Sequence, residues 1–383
     1  MGRERDLAIA DARMTDLPQP LDVTQGTDAS RVTKLRWGIL GASNIASDWC
    51  KSLRDVEGAE VTAIAARSLE RVTAWADTHG VPQRYTDYAE LCASDSVDIV
   101  YVSTITKLHK DHAILALTHG KHVLVEKPLA PTAAEAREIV ELAKRKGLFL
   151  QECMWTRFMP AIEKARSLIA EGAIGRPTAV HADFGFNALS FEPDSGMFLP
   201  GPGSGGMLAV GCYVVQAAPM VFGSAEPVRL AAAGTMNESG VDLSGGISLQ
   251  YGSDQLAVLA YNLTAETNEL TEISGTKGRI RIHSPAHCSE GLTLMESIDR
   301  GKNKCTDFSY PIPEPKGYPA EGWHYPNQHG FVYLAQAVHR CIGAGRRECP
   351  QYPLDESLLV LSLMDEAKAQ IASTAQTQRK RHR

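Results

Sequence analysis

No two of the eight cysteines (Cys50, Cys92, Cys153, Cys212, Cys288, Cys305, Cys341 and Cys349) form a CxxC pair, which removes the zinc-ribbon and thioredoxin-like readings of such a count. His283, His287 and Cys288 stand close together, but no second ligand pair follows at zinc-finger spacing. No metal is therefore expected, and the thiols read as free in a reducing compartment. Apolar runs long enough to cross a bilayer are missing too, so no membrane partner is expected. Positive charge is not in excess: a net charge of -6 gives no footprint for nucleic acid. Residues 1–33 lack the apolar core of a secretory signal, and Asp6, Asp11, Asp16 and Asp22 are out of place in a transit peptide. They read as a poorly ordered extension of a cytoplasmic protein, and residues 377–383, with their basic end Arg379 to Arg383, as a solvated tail.

What is present is a regular alternation. Leu35 to Leu40 is a short apolar strand, followed by a helix to about Arg54. Ala59 to Ala66 is a second strand, and Ser68 caps a helix running to His79. Val97 to Ser103, His122 to Val125 and Leu148 to Cys153 read as further strands. Between them lie helices His109 to Thr118 and Thr132 to Lys146, the latter with Glu135 as a capping-box partner. Strand–helix repeats of this kind predict an α/β fold whose first part, residues 34–156, is a Rossmann-like doubly wound parallel sheet. Past Trp155 the grammar changes. One helix (Pro160 to Glu171) leads into strands near Thr178 to Phe186, Val228 to Gly234, Gly245 to Tyr251, Gln255 to Asn262 and Arg279 to His283, with few helices between them. Residues 157–376 are thus expected to form an α+β domain with a large, mainly antiparallel sheet. Within it the Gly-rich stretch 201–206 opens an apolar helix from Met207 to about Phe222. Two late helices, Asn327 to Gly343 and Leu354 to Ala375, close the chain.

The first strand–helix junction reads Gly41-Ala42-Ser43-Asn44-Ile45-Ala46. A dinucleotide needs a tight turn here, so that backbone N–H groups at the helix start face the pyrophosphate. Ala at the sixth position keeps helix and sheet close. Ser43 departs from the second glycine of GxGxxG; its side chain crowds the phosphate, and its hydroxyl offers a donor in compensation. At the end of the second strand, where an NAD enzyme places an acid for the ribose hydroxyls, the chain has Ala65-Ala66-Arg67-Ser68. A guanidinium pairs with a 2′-phosphate that a carboxylate would repel, so NADP is the cofactor expected. A solvated Arg at a helix start is the alternative, and it leaves the missing acid unexplained.

Glu126-Lys127-Pro128 follows a strand at the ligand-facing edge of the first sheet, where a Lys can lower a neighbour's pKa and bond a substrate hydroxyl. The succession WGILGASNIA, AAR, ST-x4-H, EKP, WTRF and a Gly-rich turn before an apolar helix resembles the glucose-fructose oxidoreductase, inositol dehydrogenase and rhizopine-catabolism family. The likeness extends over roughly Leu35 to Glu366. Within the family it is similar to the dimeric trans-dihydrodiol dehydrogenases and the NADP-dependent D-xylose 1-dehydrogenases.

The resemblance implies an NADP-dependent oxidoreductase that transfers hydride between nicotinamide and a CH–OH group of a trans-dihydrodiol or of an aldose such as D-xylose. It implies Lys127 as the catalytic lysine and Tyr213, in a G-x-Y pattern, as general acid/base. Gly41, Ser43, Asn44, Ile45, Arg67, Thr104, His109, Glu126, Lys127, Trp155 and Arg157 would line the cofactor site, with Trp155 and Arg157 beside the nicotinamide end. A homodimer formed through the sheet of the second domain is implied as well. One departure is Ala209, where the family carries an Asp that helps hold substrate hydroxyls; Asp183, Asn187 or Asp194 would have to supply that contact. Ala209 also favours another reading, an NADP-binding sensor on the same fold without turnover. Lys127 and Tyr213 speak against it, since a sensor needs neither.

Overall fold

A computed structural model of the chain describes residues 33–316 and 322–381. The extension 1–32 and residues 382–383 of the basic tail lie outside the described residues. Thr33 is already tied down, its carbonyl accepting from His339 Nδ1 at 2.9 Å.

The described residues divide into two compact units, one containing residues 33–158 together with Ile312–Leu358, the other Met159–Pro311 together with residues 359–381. In the first unit six strands, β1 (Leu35–Leu40), β2 (Ala59–Ala65), β3 (Gln83–Tyr85), β4 (Ile99–Val102), β5 (His122–Val125) and β6 (Leu150–Glu152), form an all-parallel sheet in the order β3-β2-β1-β4-β5-β6. This is the expected doubly wound arrangement. The direction of winding reverses between β1 and β4, which opens a ligand crevice at their C-terminal ends. The helices start where the side chains dictate. Ser43 accepts from Ala46 N, Ser68 from Arg71 N and Thr132 from Glu135 N, each satisfying one orphan donor of a first turn.

Along the chain the two units meet between Phe158 and Met159, and Ile312–Leu358 rejoins the first unit. The cause is local packing. Phe331 lies 5.3 Å from Trp49 and 5.0 Å from Trp155, ring centre to ring centre. Trp37 Nε1 donates to His339 Nε2 at 3.1 Å, and Cys349 N donates to Gln151 Oε1 at 2.8 Å. Each buried aromatic contributes about 1.5–3 kcal/mol, so this segment is held by the first unit's own aromatic core.

The second unit carries strands β7 (Pro177–Gly185), β8 (Arg229–Met236), β9 (Asp242–Tyr251), β10 (Gln255–Asn262), β11 (Thr271–Gly275), β12 (Gly278–Ile282), β13 (Gly291–Asp299) and β14 (Lys302–Ser309). Their order is β14-β13-β12-β11-β7-β10-β9-β8. Only β7 and β10 pair in parallel, so the sheet is mainly antiparallel, as expected. The single apolar helix expected over 207–222 is in fact three pieces: a π-helical segment Met207–Gly211 and two short helices, Cys212–Val215 and Ala217–Phe222. Asp242 explains how the segment starts. Its buried carboxylate accepts from Met207 N at 2.7 Å and from the Tyr261 hydroxyl at 2.8 Å. A side chain at Gly205, whose φ is +98°, would run into that carboxylate. Among the described residues no helix is long and apolar enough to cross a membrane.

Candidate active site

In the first unit the candidate residues begin at the turn after β1. Gly41 has φ +105°, and a Cβ there would stand 3.1 Å from Thr104 Cγ2 and 3.2 Å from the Ser103 carbonyl. Only glycine lets β1 and β4 close around the turn. Ser103 Oγ donates to the carbonyls of Leu40 at 3.0 Å and Gly41 at 3.1 Å and so pins the turn to the neighbouring strand. Ser43 holds the N-terminus of helix Asn44–Leu53 through its oxygen lone pair, which leaves its hydroxyl hydrogen to donate. The result is a ring of backbone donors at a ten-residue helix start, the geometry that accepts a pyrophosphate.

At the end of β2 the Arg67 side chain is exposed, and Ala65-Ala66-Arg67-Ser68 contains no acid. Arg71, one turn into the next helix, sends its guanidinium back to the Ala42 carbonyl at 3.3 Å. Two guanidinium-bearing residues therefore flank one edge of the nucleotide turn. From sequence Arg71 is only a helix position; the signal available was its place in the helix's first turn, four residues after Arg67.

Lys127 is half-buried at the C-terminal end of β5, followed by a cis bond to Pro128. The residues behind it are buried. Glu126 accepts from the Tyr101 hydroxyl at 2.5 Å and from Lys127 N at 3.2 Å. Burial pushes the Glu126 carboxyl above the usual carboxylate range, and pushes Glu152, at the end of β6, up to about 7. His109 is 1% exposed, with Nδ1 2.8 Å from the Pro128 carbonyl and Nε2 2.9 Å from the Thr104 carbonyl. Burial lowers its pKa to about 4. A neutral ring donates to only one of those carbonyls at a time, yet it staples the Lys127–Pro128 turn to the end of β4. His112 does the same for Thr104, with Nδ1 2.9 Å from the Thr104 hydroxyl.

The expected cofactor residues thus separate into two groups. Gly41, Ser43, Asn44, Ile45, Arg67, Thr104 and Lys127 keep accessible surface. Glu126, His109, Trp155 and Arg157 are buried. Trp155 is 2% exposed against Phe331. Arg157 is also 2% exposed, and both its terminal nitrogens are taken up by the Glu356 carboxylate, with the Tyr352 ring 5.2 Å from the guanidinium carbon.

In the second unit Tyr213 is half-buried at the start of helix Cys212–Val215, just past the π-helical segment. Such segments recur at functional sites, where the extra residue re-aims a side chain. Its ring lies 5.5 Å from Phe184 on β7 and 5.3 Å from His287, and Phe184 and His287 are stacked at 4.2 Å with 9° between their planes. Ala209 sits within the π segment. The Asp183 carboxylate accepts from the backbone N–H groups of Glu269 at 2.9 Å and Leu270 at 3.2 Å. His283 bonds Thr293 at 2.8 Å, and among the described residues no group of three or more His, Cys, Asp or Glu side chains is arranged to hold a metal ion. The cysteines are free, with Cys305 exposed and the other seven buried.

Comparison with known proteins agrees with this layout. Residues 35–153 match the model of an oxidoreductase family with an NAD-binding Rossmann fold, and residues 162–281 match the GFO/IDH/MocA C-terminal domain. The chain belongs to the GFO/IDH/MocA oxidoreductase family. It is 35% identical to the trans-1,2-dihydrobenzene-1,2-diol dehydrogenases of Bos taurus and of Homo sapiens over 342 residues, covering 89% of this chain and 98% of each relative. Among solved structures it resembles levoglucosan dehydrogenase in complex with NADH and levoglucosan, with 20% identity and a TM-score of 0.76 over 89% of this chain and 98% of that one. It also resembles a 3-ketoreductase from Actinomadura kijaniata in complex with NADP and TDP-benzene, with 24% identity and a TM-score of 0.73 over 88% and 98%. This member of the family is an enzyme of the dehydrogenase type with a nicotinamide cofactor, and the neighbours' bound cofactors are of both kinds, so the choice between them rests on the chain's own residues.

Proposed function

We propose that the protein is an NADP-dependent dehydrogenase that oxidises a CH–OH group of a trans-dihydrodiol or of an aldose such as D-xylose. The observation that carries the reading is the 35% identity across nearly the whole length of the dihydrodiol dehydrogenases, joined to the presence of both Lys127 and Tyr213 in this chain. The aromatic setting of Tyr213, with Phe184 and His287 at 5.5 and 5.3 Å, supports a ring-bearing substrate. The preference for NADP rests on exposed Arg67, on Arg71 beside it, and on the missing acid after β2.

The backbone N–H groups of Gly41–Ile45 hold the pyrophosphate, with the Ser43 hydroxyl as an added donor. Arg67 and Arg71 pair with the 2′-phosphate, and Thr104 packs on the turn's opposite wall. When bound, NADP supplies the hydride acceptor. Tyr213 takes the substrate's hydroxyl proton, so that charge does not build up on the carbon as hydrogen leaves it. The Lys127 ammonium offers a charged donor for a substrate hydroxyl. General base catalysis of this kind contributes about 10²–10⁴-fold, and orientation of the bound pair supplies much of the rest. Glu126 and His109 keep the Lys127 turn in place from behind.

The outward face of β10 carries Leu256 at 44% and Val258 at 39% exposure, next to exposed Ala260. This apolar strip supports a homodimer formed through the second unit's sheet. Size-exclusion with light scattering tests it.

Nicotinamide absorbance followed with a panel of trans-dihydrodiols and aldoses, NADP and NAD side by side, tests the activity. Turnover with NADP and a dihydrodiol or pentose is expected. Cofactor binding without turnover on the whole panel would replace the enzyme reading with the sensor that Ala209 favours.

A further inference from the structure

His287 was singled out with Cys288 as metal-like, and no metal cluster accounts for it. Its ring is stacked on Phe184 and stands 5.3 Å from Tyr213. Nδ1 lies 3.9 Å from Glu269 Oε2, and the two side chains are 14% and 18% exposed. Nε2 lies 3.4 Å from Cys288 Sγ.

Glu269 is placed there against backbone preference. Its φ is +50°, in the left-handed region that a residue other than Gly, Asn or Asp seldom adopts. Three hydrogen bonds enforce it. Asp183 accepts from Glu269 N and Leu270 N, and Ala286 N, in the loop that carries His287, donates to the Glu269 carbonyl at 2.9 Å. The strain thus serves to bring a carboxylate to the imidazole beside the phenol. Burial first, then Glu266 and Asp183, push the Glu269 carboxyl up to about 7. Glu269 faces the ring, Cys288 and Tyr213 adjoin it, and Glu266 and Asp183 act on Glu269. A proton passed from Glu269 to the imidazole leaves the positive charge on the ring and the negative charge on the carboxylate facing it.

We propose that His287, held as a cation between Phe184 and Glu269, is a positioning residue that lowers the proton affinity of the Tyr213 phenol. It supplies a positive charge from Tyr213's own unit, and it rests on the reading of Tyr213 as the general base. An opposite charge at about 4–6 Å shifts a titration by roughly 1–3 units, so the effect is large enough to read.

Three variants separate charge from packing. His287→Phe keeps the stack on Phe184 and removes the charge. His287→Gln removes the charge with a polar side chain, in case Phe disturbs folding. His287→Arg restores a planar cation that stacks on Phe184 and pairs with Glu269. The Tyr213 phenol is read as the tyrosinate absorbance that disappears in Tyr213→Phe, and in parallel as the acid limb of the pH profile of kcat/KM for diol oxidation. The expected result is a titration about one unit or more higher in His287→Phe and His287→Gln, and close to wild type in His287→Arg. An unmoved titration in both uncharged variants, with kcat merely lower, overturns the proposal. If the tyrosinate titration moves as expected while the wild type is inert on the whole panel, the proposed function fails and this inference stands.

Discussion

Replacing Arg157 with Met tests whether this arginine supports the fold or faces the cofactor. The side chains of Arg157 and Glu356 are 2% and 5% exposed, and Glu356 takes both terminal guanidinium nitrogens. In Arg157→Met the Glu356 carboxylate stays buried without its cation, and breaking such a pair costs about 3–5 kcal/mol. At roughly 2–4 °C per kcal/mol for a unit of this size, the melting temperature of the first unit falls by about 6–20 °C. Calorimetry measures the loss, and NADPH titration well below the transition measures cofactor binding, which is expected to stay near wild type. Replacing both partners, Arg157→Met with Glu356→Leu, recovers part of the stability because no orphan charge remains. A drop of less than about 3 °C accompanied by a tenfold or greater loss of NADPH affinity would refute the reasoning and return Arg157 to the cofactor.

Three further outcomes follow from the same geometry. Glu152, held up to about 7 by burial, keeps a proton in the folded state that the unfolded chain releases above its ordinary value, so it withdraws stability as pH rises from about 4.5 to 7. His109, pushed down to about 4, acts in the opposite sense: its contribution is intact above about 6.5 and lost as pH falls toward 4. Glu152→Gln removes only the first effect. Urea unfolding should then show the variant gaining on wild type between pH 5 and 7 by up to about 1.4 kcal/mol per pH unit, and a pH-independent difference would contradict this. Arg67→Asp is expected to weaken NADPH binding by about 10–100-fold with little effect on NADH, since a hydrogen bond to a charged group contributes about 1.5–3 kcal/mol; equal losses for both cofactors would remove Arg67 from the 2′-phosphate. Gly41→Val should abolish nucleotide binding and destabilise the first unit by at least about 1–3 kcal/mol, because its side chain meets Thr104 and Ser103; thermal melts and NADPH titration check it.

Local chemistry made the first unit legible. Ser43, Ser68 and Thr132 act as the caps their residue types announce, and β1, β4 and β5 are apolar runs of strand length. β3 was invisible because Gln83-Arg84-Tyr85 has no apolar period; it forms by pairing with β2. In the second unit β13 and β14 were missed for a related reason. β14 is almost wholly polar, Lys302-Asn-Lys-Cys-Thr-Asp, and its register with β13 is a tertiary fact. The site divides in the same way. Gly41, Arg67 and Lys127 announce themselves by type and by position at strand ends. Whether Arg157 or Trp155 faces a ligand depends on Glu356 and Phe331, about 200 and 176 residues away in sequence, so no local pattern could decide it. The same holds for Glu269 beneath His287, since its strained backbone is fixed from Asp183 on another strand.

The most direct test of the account compares Tyr213→Phe with wild type, measuring NADPH affinity and the steady-state oxidation of a trans-dihydrodiol on the same preparations. The account predicts unchanged NADPH binding and a fall in kcat of about 10²-fold or more. Wild-type turnover in the variant would remove the phenol from the chemistry and contradict the account at its centre.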